Sequence, residues 1–278
     1  MQTEQMREQW EAAAPGWARW EPVIGAWLEP ATLAMLDMAG LAAGAKVLDL
    51  ACGAGNQTLR AAQRVGADGL VLACDIAESM LQHVRESAQA AGLANVSTLR
   101  AAAESMEIAA RSMDAAICRL GLMLFAAPEQ ALEAVRNAVR PGGKFAVVVF
   151  STPAANPFMS QSLQILLRHA GKTLPPPGKP GIFALGAPGL LKSLLESNGF
   201  VDVELRAVDL TLRMPSAERT LLMMQESFGL YRAALADCSE EIRAAAWAEV
   251  RSLLDNFGSP EEFVAPGQVL VASATVSG

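Results

Sequence analysis

Between residues 45 and 151 the chain alternates short apolar runs with amphipathic stretches, and this rhythm limits the fold more than any other feature. The runs are AKVLDL (45–50), GLVLACD (69–75), VSTLRA, MDAAICRL (113–120) and PGGKFAVVVF. A strand with one wet face alternates apolar and polar residues, whereas these runs are continuous, as strands covered on both faces are. The stretches between them carry helix punctuation. NQTLRAAQRVG stops at Gly66, SMLQHVRESAQAAG runs from an N-cap at Ser79 to Gly92, and Pro128 opens PEQALEAVRNAVR. The pattern predicts an α/β chain with a doubly wound parallel sheet.

Past residue 151 the rhythm breaks. Residues 152–186 hold one helix, 157–170, and the proline-rich TLPPPGKPG, which suits neither a helix nor a central strand. APGLLKSLLESNGF predicts a helix stopped by Gly199, and VDVELRAVDLTLRM alternates like an antiparallel edge strand. Two helical stretches, about 216–236 and 239–256, precede the closing strand PGQVLVASATV. The expected organisation is an N-terminal helical lid (1–44), a cofactor-binding core (45–151), a cap insert (152–186), more core (187–212), a helical cap insert (213–261) and a final core strand (262–278). Both inserts interrupt the sheet where a doubly wound fold carries its ligand crevice.

The first strand ends in VLDLACGAGNQTL (47–59), with Asp49 ahead of a turn through Cys52, Gly53, Ala54 and Gly55. Glycines let the backbone turn sharply and approach a ligand, with helix N–H groups pointing outward. A dinucleotide-binding turn would carry a third glycine three residues after Gly55, where Thr58 stands. The second strand ends on Asp75, 22 residues after Gly53, where a carboxylate beside the turn can accept from two ribose hydroxyls. AAAESME after the third strand brings Glu104 toward an adenine edge, and CRLGLMLF after the fourth forms an apolar lip.

VLDLACGAG resembles motif I of class I S-adenosylmethionine-dependent methyltransferases, whose signature is an acid just before G-x-G. Together with VLACDIAESML, AAAESME, MDAAICRLGLMLF and RPGGKFAVVVF, it resembles the branch that includes the ubiquinone/menaquinone C-methyltransferases, over roughly residues 40–151. The tail from LLKSLLESNGFVDVEL onward agrees more weakly. The resemblance implies a Rossmann-like seven-stranded sheet with its last strand antiparallel, and S-adenosylmethionine as cofactor. It implies that Asp49 and Gly53 to Gly55 line the methionine and ribose part, that Asp75 holds the ribose, and that Ile76 flanks adenine. Ala103 and Glu104 would stand near the adenine amino group and Arg119 at the lip, with Cys52 and Met80 also among the cofactor-binding residues. One position departs from the family: Asp-Ala is common before Glu104, and here Ala102-Ala103 stands.

The 22 basic and 29 acidic residues leave a net charge of −7, which argues against nucleic acid, because phosphate binding draws on clustered Lys and Arg. No N/D-P-P-Y/F motif follows the fourth strand, where CRLG stands. The N-terminus has no apolar h-region, and the longest uncharged run (145–167) is broken by Pro153, Asn156 and Pro157, so no integral membrane segment is expected. Cys52, Cys74, Cys118 and Cys238 form no C-x-x-C pair and only two histidines exist. No metal and a reducing, cytoplasmic setting are expected.

Methyl transfer from a sulfonium is an in-line displacement whose leaving group is built into the cofactor. Alignment and exclusion of water therefore matter more than a nucleophilic triad. His169 and Tyr231 are the weak candidates for a base. Trp10, Trp17, Trp20 and Trp27 crowd the first 27 residues, with Pro15 and Gly16 expected to interrupt any single helix through them. They read either as anchors on the core or as a lid whose aromatic faces cover an uncharged acceptor and the sulfonium. Trp10, Trp20, Leu124 and Phe228 are the expected acceptor-pocket residues. The expected reaction moves a methyl group to carbon or oxygen of a small, largely hydrophobic metabolite. The alternatives are a nucleotide-dependent oxidoreductase and a non-catalytic adenosylmethionine-binding protein. A homodimer is left open.

Overall fold

The computed structural model describes residues 2–259 and 261–278, and its first element corrects the sequence reading. A single helix, α1 (Gln2–Met38), runs through Pro15 and Gly16, where the sequence predicts an interruption, and on through Pro22 and Pro30. All three prolines are exposed. The carbonyls of Glu11, Ala18 and Ala26, each robbed of its N–H partner four residues on, can therefore bond water instead. Gly16 serves a close approach: a Cβ there would stand 1.9 Å from the backbone oxygen of Glu226. Further along α1, Trp20, Ile24, Trp27 and Leu28 are buried in the main core. Trp27 packs against Phe150 and Phe158, each ring centroid 5.9 Å away.

Five strands make the parallel part of the sheet: β1 (Lys46–Leu50), β2 (Leu70–Asp75), β3 (Val96–Arg100), β4 (Met113–Arg119) and β5 (Val139–Phe150). They are linked by α2 (Asn56–Val65), α3 (Glu78–Ala90) and α4 (Pro128–Ala138). β1 pairs in parallel with both β2 and β4. The topological switch point thus falls between β1 and β4, where this architecture leaves a crevice at the carboxyl ends of the strands. α3 begins at Glu78 rather than from a cap at Ser79. Its end is capped from outside, because the Glu11 carboxylate of α1 accepts the N–H groups of Glu78 (2.8 Å) and Ser79 (3.1 Å) and the Ser79 hydroxyl. Two orphan donors of the helix start are satisfied in this way.

α5 (Pro157–His169), α6 (Leu190–Ser197), α7 (Ala217–Ser227), α8 (Gly229–Ala234) and α9 (Glu240–Leu254) follow, with Phe228 breaking the stretch predicted as one helix over 216–236. β6 (Phe200–Met214) forms one edge of the sheet, and β8 (Glu262–Val276) lies between β5 and β6, antiparallel to both. The strand order is 3-2-1-4-5-8-6. This is a Rossmann-like sheet with its last strand antiparallel. The strand count is one higher than seven, because the two-residue β7 (Gly258–Ser259) pairs with β8. Among the described residues no helix is long and apolar enough to cross a membrane.

Candidate active site

After β1 the backbone enters the left-handed region three times, with φ 50° at Ala51, 55° at Gly53 and 96° at Gly55. Glycine adopts such angles at little cost, and no heavy atom lies within 4 Å of where a Cβ on Gly53 would stand. Asp49 lies beneath this turn, fully buried. It accepts from the Thr58 hydroxyl (2.6 Å) and the Gln57 amide (3.3 Å). Burial pushes its pKa up to about 7, against the pull of those two bonds and of Arg119.

Asp75, at the tip of β2, accepts the Gly53 N–H on one carboxylate oxygen and the Ala77 N–H on the other, both at 3.0 Å. A carboxylate offers about four acceptor positions, so each oxygen keeps one to offer a ligand. Burial raises the Asp75 pKa above the ordinary carboxylate value, opposed by the same N–H groups.

A cavity opens at these strand ends. Cys52, Gly53, Gly55, Asp75, Ile76, Met80, Ala103, Glu104 and Arg119 all line it, as do Trp10 and Leu124 of the expected acceptor residues. Asp49 supports the turn from below without reaching the cavity. One wall comes from α1, through Met6, Trp10, Trp17, Glu21, Ile24, Gly25 and Leu28. Glu104 also accepts the Ala126 N–H at 3.2 Å, which ties the segment after β3 to the lip after β4. Arg119 is buried, donating to the Thr32 hydroxyl (2.8 Å) and to the Asn56 amide oxygen (2.7 Å). Burial pulls its pKa down to about 10, against the nearby Asp49.

Besides Asp49, four expected site residues lie outside the cavity lining. Trp20 is buried and donates its indole N–H to Glu226 at 2.6 Å, with the Arg219 guanidinium 4.8 Å over its ring. Phe228 packs edge-on against Tyr231, centroids 5.2 Å apart. The Tyr231 hydroxyl donates to the Met159 carbonyl at 2.8 Å, so the side chain is a buried strut rather than a base. His169, on α5, pairs through Nε2 with Glu249 of α9 at 2.8 Å instead of facing the crevice. Conversely, Glu21, Asn56 and Gln57 line the cavity without having been singled out as site residues, and Trp17, named only as one of the four clustered tryptophans, lines it too. Asn56 was within reach of the sequence, as the first helical residue after the glycine turn. Glu21 carries no local signal.

The donor set suits an adenosine ligand with a cationic sulfur. Asp75 keeps acceptor capacity for a vicinal diol. The Trp17 indole nitrogen and the Gln57 amide oxygen, both on residues that line the cavity, are buried without a hydrogen-bond partner. Among the described residues, Glu21, Asp75 and Glu104 outnumber the one lining cation, Arg119, a balance that favours a positively charged guest.

Residues 31–179 match the ubiE/COQ5 methyltransferase family. The ubiquinone/menaquinone biosynthesis C-methyltransferase UbiE of Hahella chejuensis is 30% identical over 196 residues, 70% of this chain and 70% of that protein. UbiE of Yersinia enterocolitica is 36% identical over 123 residues, 44% of this chain and 49% of that protein, so the chain spans about half the length of this relative. Among solved structures, the 4+2 cyclase SpnF superposes with a TM-score of 0.57 at 17% identity, over 97% of both chains. A likeness that distant shows the fold alone.

Proposed function

The chain belongs to the ubiE/COQ5 methyltransferase family, and from that premise we propose that it transfers the methyl group of S-adenosylmethionine to carbon or oxygen of a small, largely hydrophobic metabolite. The observation that carries this reading is Asp75: buried at the tip of β2, locked to the Gly53 N–H, and facing the same cavity as the glycine turn.

When bound, S-adenosylmethionine supplies an activated methyl group and its leaving group together. What remains for the chain is to bind, orient and exclude water, which can lower the barrier by about 7–11 kcal/mol. Asp75 fixes the ribose, Ile76 and Ala103 flank the adenine, and the left-handed turn lets backbone approach the ligand. Trp10, Trp17, Ile24, Leu28 and Leu124 supply an apolar wall that suits an uncharged ring or polyketide-like acceptor. A quinone-type precursor, the substrate class in the names of the UbiE relatives, is the nearest alternative. The cavity-facing half of α1 forms the cap, whereas the inserts at 152–186 and 213–261, expected to share it, contribute none of the lining residues among those described. The four unpaired cysteines support a cytoplasmic setting, where thiols stay reduced.

The test is incubation with methyl-labelled S-adenosylmethionine and a panel of phenols, quinols and enolisable polyketides, read by mass spectrometry. Label is expected in an acceptor of this panel. Label in none of them, with reduction of NAD by the same protein, would overturn the reading.

A further inference from the structure

Two unlike charges line the cavity without forming a salt bridge. Glu21 comes from α1 and Arg119 from the end of β4. Asn56 stands between them, its amide nitrogen donating to Glu21 Oε1 at 2.6 Å and its oxygen accepting from Arg119 Nη1 at 2.7 Å. Chemistry fixes the direction of that amide. Reversed, it would set NH2 against a guanidinium and a carbonyl against a carboxylate. Thr32 holds Arg119 from its other side. Among the described residues neither Glu21 Oε2 nor Arg119 Nη2 has a hydrogen-bond partner.

A buried guanidinium spaced from the carboxylate beside it is a costly arrangement in a bare protein, because a direct ion pair would recover part of its desolvation. Yet room is kept for the spacer. A Cβ on Gly25, one turn after Glu21, would stand 2.6 Å from the Asn56 amide nitrogen and 2.8 Å from Glu21 Oε1. The trio is therefore arranged to hold a positive and a negative site apart.

The inference rests on the adenosylmethionine reading above. With ribose on Asp75 and adenine toward Ile76 and Ala103, the rest of that ligand must run along the glycine turn toward Asn56. That remainder is an amino-acid tail, a zwitterion with one ammonium and one carboxylate. We propose that Glu21 and Arg119, held apart by Asn56, bind the ammonium and the carboxylate of this tail, so that the tail rather than the adenosine seats α1 over the site. Glu21 is the one acidic residue of α1 that lines the cavity, and through it the helix senses whether the ligand carries its amino acid.

Calorimetry on the parent protein and Glu21→Gln tests this with three probes. S-adenosylhomocysteine carries the whole tail, 5′-(3-aminopropylthio)-5′-deoxyadenosine carries the ammonium alone, and 5′-methylthioadenosine carries neither charge. Charge-assisted hydrogen bonds of this kind are worth about tenfold or more each. The parent should therefore prefer S-adenosylhomocysteine over methylthioadenosine by at least about tenfold, with the aminopropyl probe between them. Glu21→Gln should lose about tenfold on both probes that carry the ammonium and nothing on methylthioadenosine. In the parent, S-adenosylhomocysteine should slow amide exchange along α1 and methylthioadenosine should not. Glu21 is half-buried, so the variant should melt close to the parent. Should it not fold, Gly25→Ala, which pushes Glu21 and Asn56 apart, gives the same comparison. Equal losses on all three probes, or no loss on any, would overturn the proposal. A parent that binds none of the three would overturn the cofactor reading beneath it.

Discussion

The two walls of the cavity are held by different means. At the strand ends the wall is mostly backbone: Gly53 and Gly55 in left-handed conformations, and the N–H groups of Gly53 and Ala77 on the Asp75 carboxylate. On the α1 side it is side chains that reach across long sequence distances, with Glu21 on Asn56, Glu11 on the start of α3 and Trp20 on Glu226. A wall of backbone is set by dihedral angles and changes little. A wall of side chains moves with the helix that carries it. α1 itself divides in the same way, Trp10 and Trp17 covering the cavity while Trp20 and Trp27 belong to the core.

Deleting residues 1–28 is the most severe way to break this comparison. Trp20, Ile24, Trp27 and Leu28 would leave the core with the helix, so the truncated chain should lose its cooperative thermal transition by circular dichroism. A cooperative melt near the parent's would mean that α1 is only a cover. A milder cut divides the tryptophans. Trp27→Ala should cost about 3–5 kcal/mol in urea unfolding, and Trp17→Ala, at the half-buried cavity wall, about 1 kcal/mol. Equal losses would erase the division of α1 into an anchored half and a covering half.

On the backbone wall, Asp75→Asn should weaken S-adenosylhomocysteine by about tenfold to a hundredfold, since charge-assisted bonds to the ribose become neutral ones. Calorimetry that finds unchanged affinity in a folded variant would place the ribose elsewhere. The same wall also predicts a pH dependence. The Asp49 pKa, about 7 when folded, lies above its ordinary 3.8, so the folded chain binds the proton more tightly than the unfolded one. Its contribution to stability is present below about pH 4 and is lost as pH rises through about 7. The melting temperature of the parent should therefore fall, relative to Asp49→Asn, across that window. Parallel curves for the two proteins would show that Asp49 does not titrate there.

The strand-end wall was legible in the sequence because each of its parts is local. An apolar run ends, an acid and two glycines follow, and Asp75 stands at the next strand's tip. The α1 wall was not, because the Glu21–Asn56 and Glu11–Glu78 bonds join residues that no local pattern connects. The tryptophan division had no such signal either. Trp10 and Trp17 are two helical turns apart, as are Trp20 and Trp27, but Trp17 and Trp20 are three residues apart, so their spacing draws all four toward one side of the helix. Pro15 and Gly16 obscured the single helix by suggesting a break, and only the exposure of its prolines shows why it does not break. His169 and Tyr231 were chosen by chemical type alone, and each proves to be occupied by a partner, Glu249 and the Met159 carbonyl.

Titration of the parent protein with S-adenosylhomocysteine and, separately, with NAD is the most direct measurement of whether this cavity was built for adenosylmethionine. Saturable binding of S-adenosylhomocysteine at one site per chain, with no heat from NAD, is the expected result. Saturable binding of NAD with no response to S-adenosylhomocysteine would contradict it.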